Sequence, residues 1–166
     1  MAENIAIRLI EHNNWANLQL LEACEALTEA QLDLQPKTAV FGSIRETLQH
    51  IVLSQEDYVS MLATLDHPVE RENVLAFSEL REMVEQSGRE LLSLLQKFPG
   101  KLLQSQLHLK DGYKVAPWVF LVQVINHATE HREQIKSVIS GFGIEPPRID
   151  GWKFGEQQEA LSPPSA

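Results

Sequence analysis

Four stretches of this chain repeat apolar residues at helical spacing, and Pro or Gly punctuates each gap between them. Positions 3–27 carry Leu9, Ile10, Ala16, Leu20, Leu21, Cys24 and Leu27, with Asn13 and Asn17 set into the same stripe. Positions 43–65 carry Ile44, Leu48, Ile51, Val52, Val59 and Leu62, and Gln55 falls among them. Positions 78–98 carry Leu80, Val84, Leu91, Leu94 and Leu95, and positions 117–140 carry Leu121, Val124, Ala128, Ile135 and Ile139. Each stripe covers one side of its segment and must be buried against something. Four helices of this length predict an all-α protein, a four-helix bundle.

The boundaries have local causes. Ser43-Ile-Arg-Glu46 has the form of a capping box, and Thr28-Glu-Ala-Gln31 has the same form ahead of Pro36, predicting a short helical turn. Asp66-His67-Pro68 stops the second helix and Pro99-Gly100 closes the third. Between Leu103 and Val115 the spacing changes, and Asp111-Gly112 predicts an extended segment or small hairpin. Pro117 suits the first position of the fourth helix, which ends at Gly141. The expected layout is one bundle domain over 1–155, on which Trp152 and Phe154 dock. A tail over 156–166 follows, with 161–166 disordered.

At 166 residues the chain is long enough to bury one core. Its 14 basic and 23 acidic residues leave a net charge of −9, and its densest basic stretch, Arg132 to Lys136, alternates with acids. That balance argues against nucleic acid as a partner. Cys24 is the single cysteine, so neither an internal disulfide nor a thiolate cluster can form. It reads as a small buried hydrophobe. Glu3 and Arg8 interrupt the short apolar start, which does not read as a leader. The longest apolar run, Val115 to Val122, is too short to span a bilayer. The expectation is a cytoplasmic protein with no membrane partner.

The strongest chemical signal is His127-Ala-Thr-Glu-His131 in the fourth helix. Residues four apart stand one turn above each other, so two imidazoles can converge on one ion. His131 lies within the apolar stripe and His127 at its edge. Two readings stand on spacing alone: a metal pair, or two hydrogen-bonded or exposed rings. His50 offers a third ligand from the second helix. It lies on a side face with Thr47, Ser54 and Met61, buried only if that helix has neighbours on two sides.

Other chemistries lack their motifs. The chain contains no Glu-x-x-His, no His-Glu-x-x-His, no Gly-rich phosphate loop and no nucleophile elbow. His67 and His108 read as solvated loop or strand residues. Glu46, Glu56 and Glu130 are near enough in sequence to assist as bases, though their polar faces suit solvated charges.

Taken together, these residues resemble the DinB-like (damage-inducible, YfiT-type) metal-binding bundle family. The matching pieces are His12-Asn-Asn-Trp-Ala-Asn17, Ser43-Ile-Arg-Glu-Thr-Leu-Gln-His-Ile51 and Asn126-His-Ala-Thr-Glu-His-Arg-Glu-Gln-Ile135, followed by Gly143 and Pro146-Pro147 through Asp150. The resemblance implies an up-up-down-down bundle and a homodimer. It also implies one divalent metal ion held by His50, His127 and His131; imidazole ligands suit Zn, Ni, Cu and Fe alike, with zinc or nickel the first expectation. Two positions depart from the family pattern. His12 stands where an aromatic is usual, which reads first as a surface substitution, with an extra ligand or proton carrier as the alternatives, and Glu133 stands where Gly is common.

Three neutral imidazoles leave the ion's charge uncancelled and a position open. The resemblance favours a low-molecular-weight thiol that ionises there and attacks a small-molecule electrophile, making the chain a thiol S-transferase. Hydrolysis by activated water and a non-catalytic metal- or ligand-binding role are the alternatives.

Overall fold

The computed structural model describes residues 4–37, 41–67, 73–97 and 106–161. The expected stops at Pro68 and Pro99-Gly100, the start of the extended segment at Leu103, and the tail 162–166 lie outside them.

Helix α1 spans Ile5–Glu25, its N-terminus capped by the Asn4 side chain, which accepts from the Ala6 amide at 3.1 Å. The short α2, Glu29–Leu32, and the long α3, Ile44–Thr64, both open on the capping boxes legible in the sequence. Gly42 leaves room ahead of the second box for the Glu46 carboxylate to reach its cap. A Cβ there would meet the Glu46 carboxylate at 2.1 Å. Helix α4 spans Phe77–Lys97, and α5 spans Pro117–Gly141 with its proline in the first turn. Between them β1, Leu107–His108, pairs antiparallel with β2, Lys114–Val115. Gly112 turns this hairpin at φ 96, where a side chain would be strained. A last helix, α6, runs over Gly151–Gln157. Among the described residues no helix is long and apolar enough to cross a membrane.

The all-α bundle is as expected, but the order of helix directions is not. Helix α1 packs against α4 and α5, and α3 packs against the same two. Residues Asn14 and Glu25 of α1 face Gly88 and Arg81 of α4, so those helices are antiparallel. Likewise Thr47 and Tyr58 of α3 lie near Gln134 and His127 of α5, an antiparallel pair. The shared core fixes the rest. Ile10 of α1 sits with Val59 and Leu62 of α3, Leu91 and Leu95 of α4, and Phe120 and Val124 of α5. Leu20, Leu21 and Cys24 sit with Ile44, Leu48, Leu80, Val84, Ile135 and Ile139.

The order is therefore up-down-down-up, correcting the up-up-down-down arrangement that the resemblance implied. The physical reason is the shared core, in which the end of α1 and the start of α3 bury their stripes in one cluster. Arg45, in the first turn of α3, is ion-paired with Asp33 at 2.6 Å and with Glu29 of α2. These exposed contacts accompany the core packing that places the start of α3 near the end of α1, from which α3 runs back. At the other end the Lys110 amide donates to the Leu65 carbonyl at 2.9 Å. The hairpin thus hooks onto the end of α3, and α5 sets out from that end.

Between the two apolar clusters lies a layer of polar side chains crossing all four long helices. Gln55 accepts through Oε1 from the Asn13 and Asn17 amides at 3.1 and 3.2 Å. Its own amide donates to Asn14 Oδ1 and to Ser87 Oγ. The Arg132 guanidinium donates to Asn13 Oδ1 at 2.8 Å and Asn17 Oδ1 at 2.7 Å. Asn13, Asn17, Gln55, Ser87 and Arg132 are all buried, and among the described residues no buried side-chain polar atom lacks a partner. Burial lowers the Arg132 pKa to about 10, because only neutral oxygens surround the cation closely.

The C-terminal segment docks through Phe154, whose ring lies 5.3 Å from Trp15 and 5.4 Å from His12. Trp152 does not take part: it is 72% exposed. Helix α6 also carries ordered structure beyond 155, where the expected bundle domain ended.

Candidate metal centre

The antiparallel pairing of α3 with α5 brings one ring from the first helix against two from the second. His50 Nε2 and His127 Nε2 stand 2.9 Å apart, one ring donating to the other. The His50, His127 and His131 ring centroids are 4.5 to 4.8 Å from one another. One ligand nitrogen from each lies within 4.8 Å of the others. Two nitrogens bound at about 2.05 Å to one tetrahedral ion stand about 3.3 Å apart. A shift of a few tenths of an ångström from the 2.9 Å contact is enough for His50 and His127 to hold one.

Sequence position explains each placement. His127 and His131 share a face of α5, one turn apart. His50 rides on the side face of α3, and Thr47 and Met61 on that face are buried, because α3 has α4 on one side and α5 on the other. The condition attached to His50 in the sequence is thereby met.

The surroundings suit cation binding. Gln134 Oε1 lies 2.9 Å from His131 Nδ1 and accepts its proton, which leaves Nε2 of that ring with its lone pair free. A partner of this kind fixes ring orientation and tautomer at histidine metal sites. Burial, and then the neighbouring His127 and His131, lower the His50 pKa to about 4. Burial and His131 lower that of His127. Both rings are therefore neutral at pH 7, the state in which imidazole ligates a metal.

Phe41 completes the wall. Its ring stacks on His50 at 4.1 Å and 21°, and meets His131 edge to face at 5.4 Å. Tyr58 lies edge to face against His127 at 6.0 Å. None of Phe41, Tyr58 and Gln134 was singled out from the sequence. Gln134 had a readable signal, three residues after His131 on the same helical face. Phe41 had none, since it belongs to a connection.

Other candidates fall elsewhere. His12 is not part of the centre; its Nε2 donates to the Ile149 carbonyl at 2.9 Å, tethering the segment after α5. Cys24 is fully buried, and burial raises its thiol pKa to about 12. Glu46 spends its carboxylate on the Ser43 amide and on Gln35, which hold its pKa down. Glu56 lines the groove between α3 and α4, and Glu130 is exposed. His67 sits between Asp57 at 2.8 Å and Asp111 at 3.2 Å, an ionic clasp joining α3 to the hairpin. His108 is exposed on β1.

A helical bundle carrying three histidines able to hold one metal ion is the class of protein that this fold and site define. The chain matches the family model described as the DinB family over residues 1–162, and it belongs to that family. No curated protein matches it.

Proposed function

We propose that His50, His127 and His131 bind one divalent metal ion, zinc or nickel, and that the chain is a metal-dependent thiol S-transferase acting on small molecules. The observation that carries this reading is the convergence of three ligand nitrogens within 4.8 Å, with Gln134 engaging the far side of His131. A divalent ion held by three neutral imidazoles keeps its charge and an open position, and lowers the pKa of a thiol or water offered to it. The chain's own residues do the rest. Gln134 holds the His131 ring in place, Phe41 covers a face of the His50 ring, and the capping box at Ser43 sets where α3 begins. The reactive thiol comes from outside, because Cys24 is buried and protonated.

The reading extends to a cytoplasmic location and a homodimer. Trp118 and Val122, one turn apart on the outside of α5, supply exposed apolar surface for such a contact. Light scattering that gave the mass of one chain would reject the dimer.

Elemental analysis of wild type beside His131→Ala tests the metal: one equivalent is expected in the first and none in the second. The metal-loaded protein is then incubated with low-molecular-weight thiols and electrophiles, and separately with esters. Thiol consumption that disappears in His127→Ala supports transfer. Ester hydrolysis without thiol moves the assignment to a hydrolase, and silence across both panels leaves a metal-binding protein without turnover.

A further inference from the structure

Beside His50 lies a cleft of about 450 Å³, within the range of small-molecule sites. Phe41, Leu53, Val74 and the His50 ring line it, together with Gln35, Gly42, Arg45, Glu46 and Gln49. Its polar side chains are already committed within the protein. Arg45 is neutralised by Asp33 and Glu29. The Glu46 carboxylate accepts from the Ser43 amide and from the Gln35 side-chain amide, both at 2.6 Å. Gln49 donates to the Asn73 carbonyl at 3.0 Å and accepts from the Leu75 amide at 2.9 Å, which ties the 73–75 strip down as the cleft's outer wall.

What these groups leave for a ligand is apolar surface: one aromatic face, Leu53, and Val74, whose side chain is 70% exposed. An anionic ligand would lose hydration in the cleft and meet the Glu46 carboxylate, and a cation would lose its hydration for a carboxylate already accepting from two amide donors. A neutral apolar group loses nothing comparable, and gains from every contact it covers.

We propose that this cleft binds the uncharged, apolar portion of a small-molecule substrate, with the reacting end directed at the His50 side. That the ligand is a substrate rests on the proposed metal chemistry. The preference for a neutral apolar group rests on the cleft alone.

The experiment keeps the two apart. The full chain is titrated with the neutral fluorophore N-phenyl-1-naphthylamine, once loaded with zinc and once stripped with EDTA. The expected result is saturable one-to-one binding in both states, weakened at least tenfold by Val74→Glu and by Leu53→Gln. Val74 is a surface position, so the first variant folds even if the second does not. Displacement by 2-methoxynaphthalene should be at least tenfold more effective than displacement by 2-naphthoate or by 2-naphthylmethylammonium. Absent binding, binding unchanged in Val74→Glu, or equal displacement by the charged competitors would overturn the proposal. Normal probe binding in a protein that takes up no metal would instead overturn the metal chemistry and leave the cleft's preference standing.

Discussion

Replacing Gln55 by leucine tests whether the polar layer holds the bundle together. The side chains are similar in size, so the change removes hydrogen bonding with little change in volume. It leaves the Asn13 and Asn17 amide groups, both on buried residues, without their acceptor. Each such orphan costs about 1–3 kcal/mol, roughly 4 kcal/mol for the pair. Asn14 is only partly buried and can turn to water, while Ser87 still donates to the Met83 carbonyl, so neither adds much. Burying leucine returns about 2 kcal/mol. The net expectation is a loss of about 2 kcal/mol, and for a domain of this size a fall in Tm of roughly 4–8 °C. Urea denaturation followed by circular dichroism reads it: a lower midpoint at an unchanged slope. A variant as stable as the wild type, or more so, would refute the reasoning. It would mean that an apolar centre serves this bundle as well as the hydrogen-bonded one.

Three further outcomes are expected. Gln134→Leu should weaken zinc binding by about 10- to 100-fold in calorimetry while the helical spectrum is retained; unchanged affinity would remove Gln134 from the centre. Cys24, with its pKa near 12 and no exposure, should carry thiolate at only about one part in ten thousand at pH 8. It should therefore resist a disulfide reagent until guanidinium unfolds the chain, and rapid native labelling would contradict that burial. His67 has its pKa raised by Asp57 and then Asp111, so its clasp contributes fully below the unfolded-state value near 6.5 and is lost as pH rises through the higher folded value. An NMR titration should place His67 above 6.5, and the stability difference between wild type and His67→Ala should shrink over that window. A midpoint at or below 6.5 would refute the clasp.

Much of this protein is determined by short-range pattern. Apolar spacing placed the four long helices to within a few residues, and the capping residues Thr28 and Ser43 marked where two helices begin. Asp111-Gly112 marked the hairpin, and the four-residue interval put His127 and His131 on one face. These features are local, so neighbouring residues alone encode them. Even the central layer left a trace, as Asn13, Asn17 and Gln55 interrupt otherwise apolar stripes.

Only the tertiary structure decided which helices meet and in which direction. An apolar stripe records that a face is buried, and is silent about what buries it. Up-up-down-down was therefore as compatible with the periodicity as the order found, and only the joint burial of the four stripes in two clusters distinguishes them. The same limit applied to His50, on a side face until α5 was seen to lie against it, and to Phe41, in a connection without periodicity. His12 likewise found its partner, the Ile149 carbonyl, far along the chain. Contacts between distant segments depend on the relative placement of whole helices, and residue spacing carries no record of that.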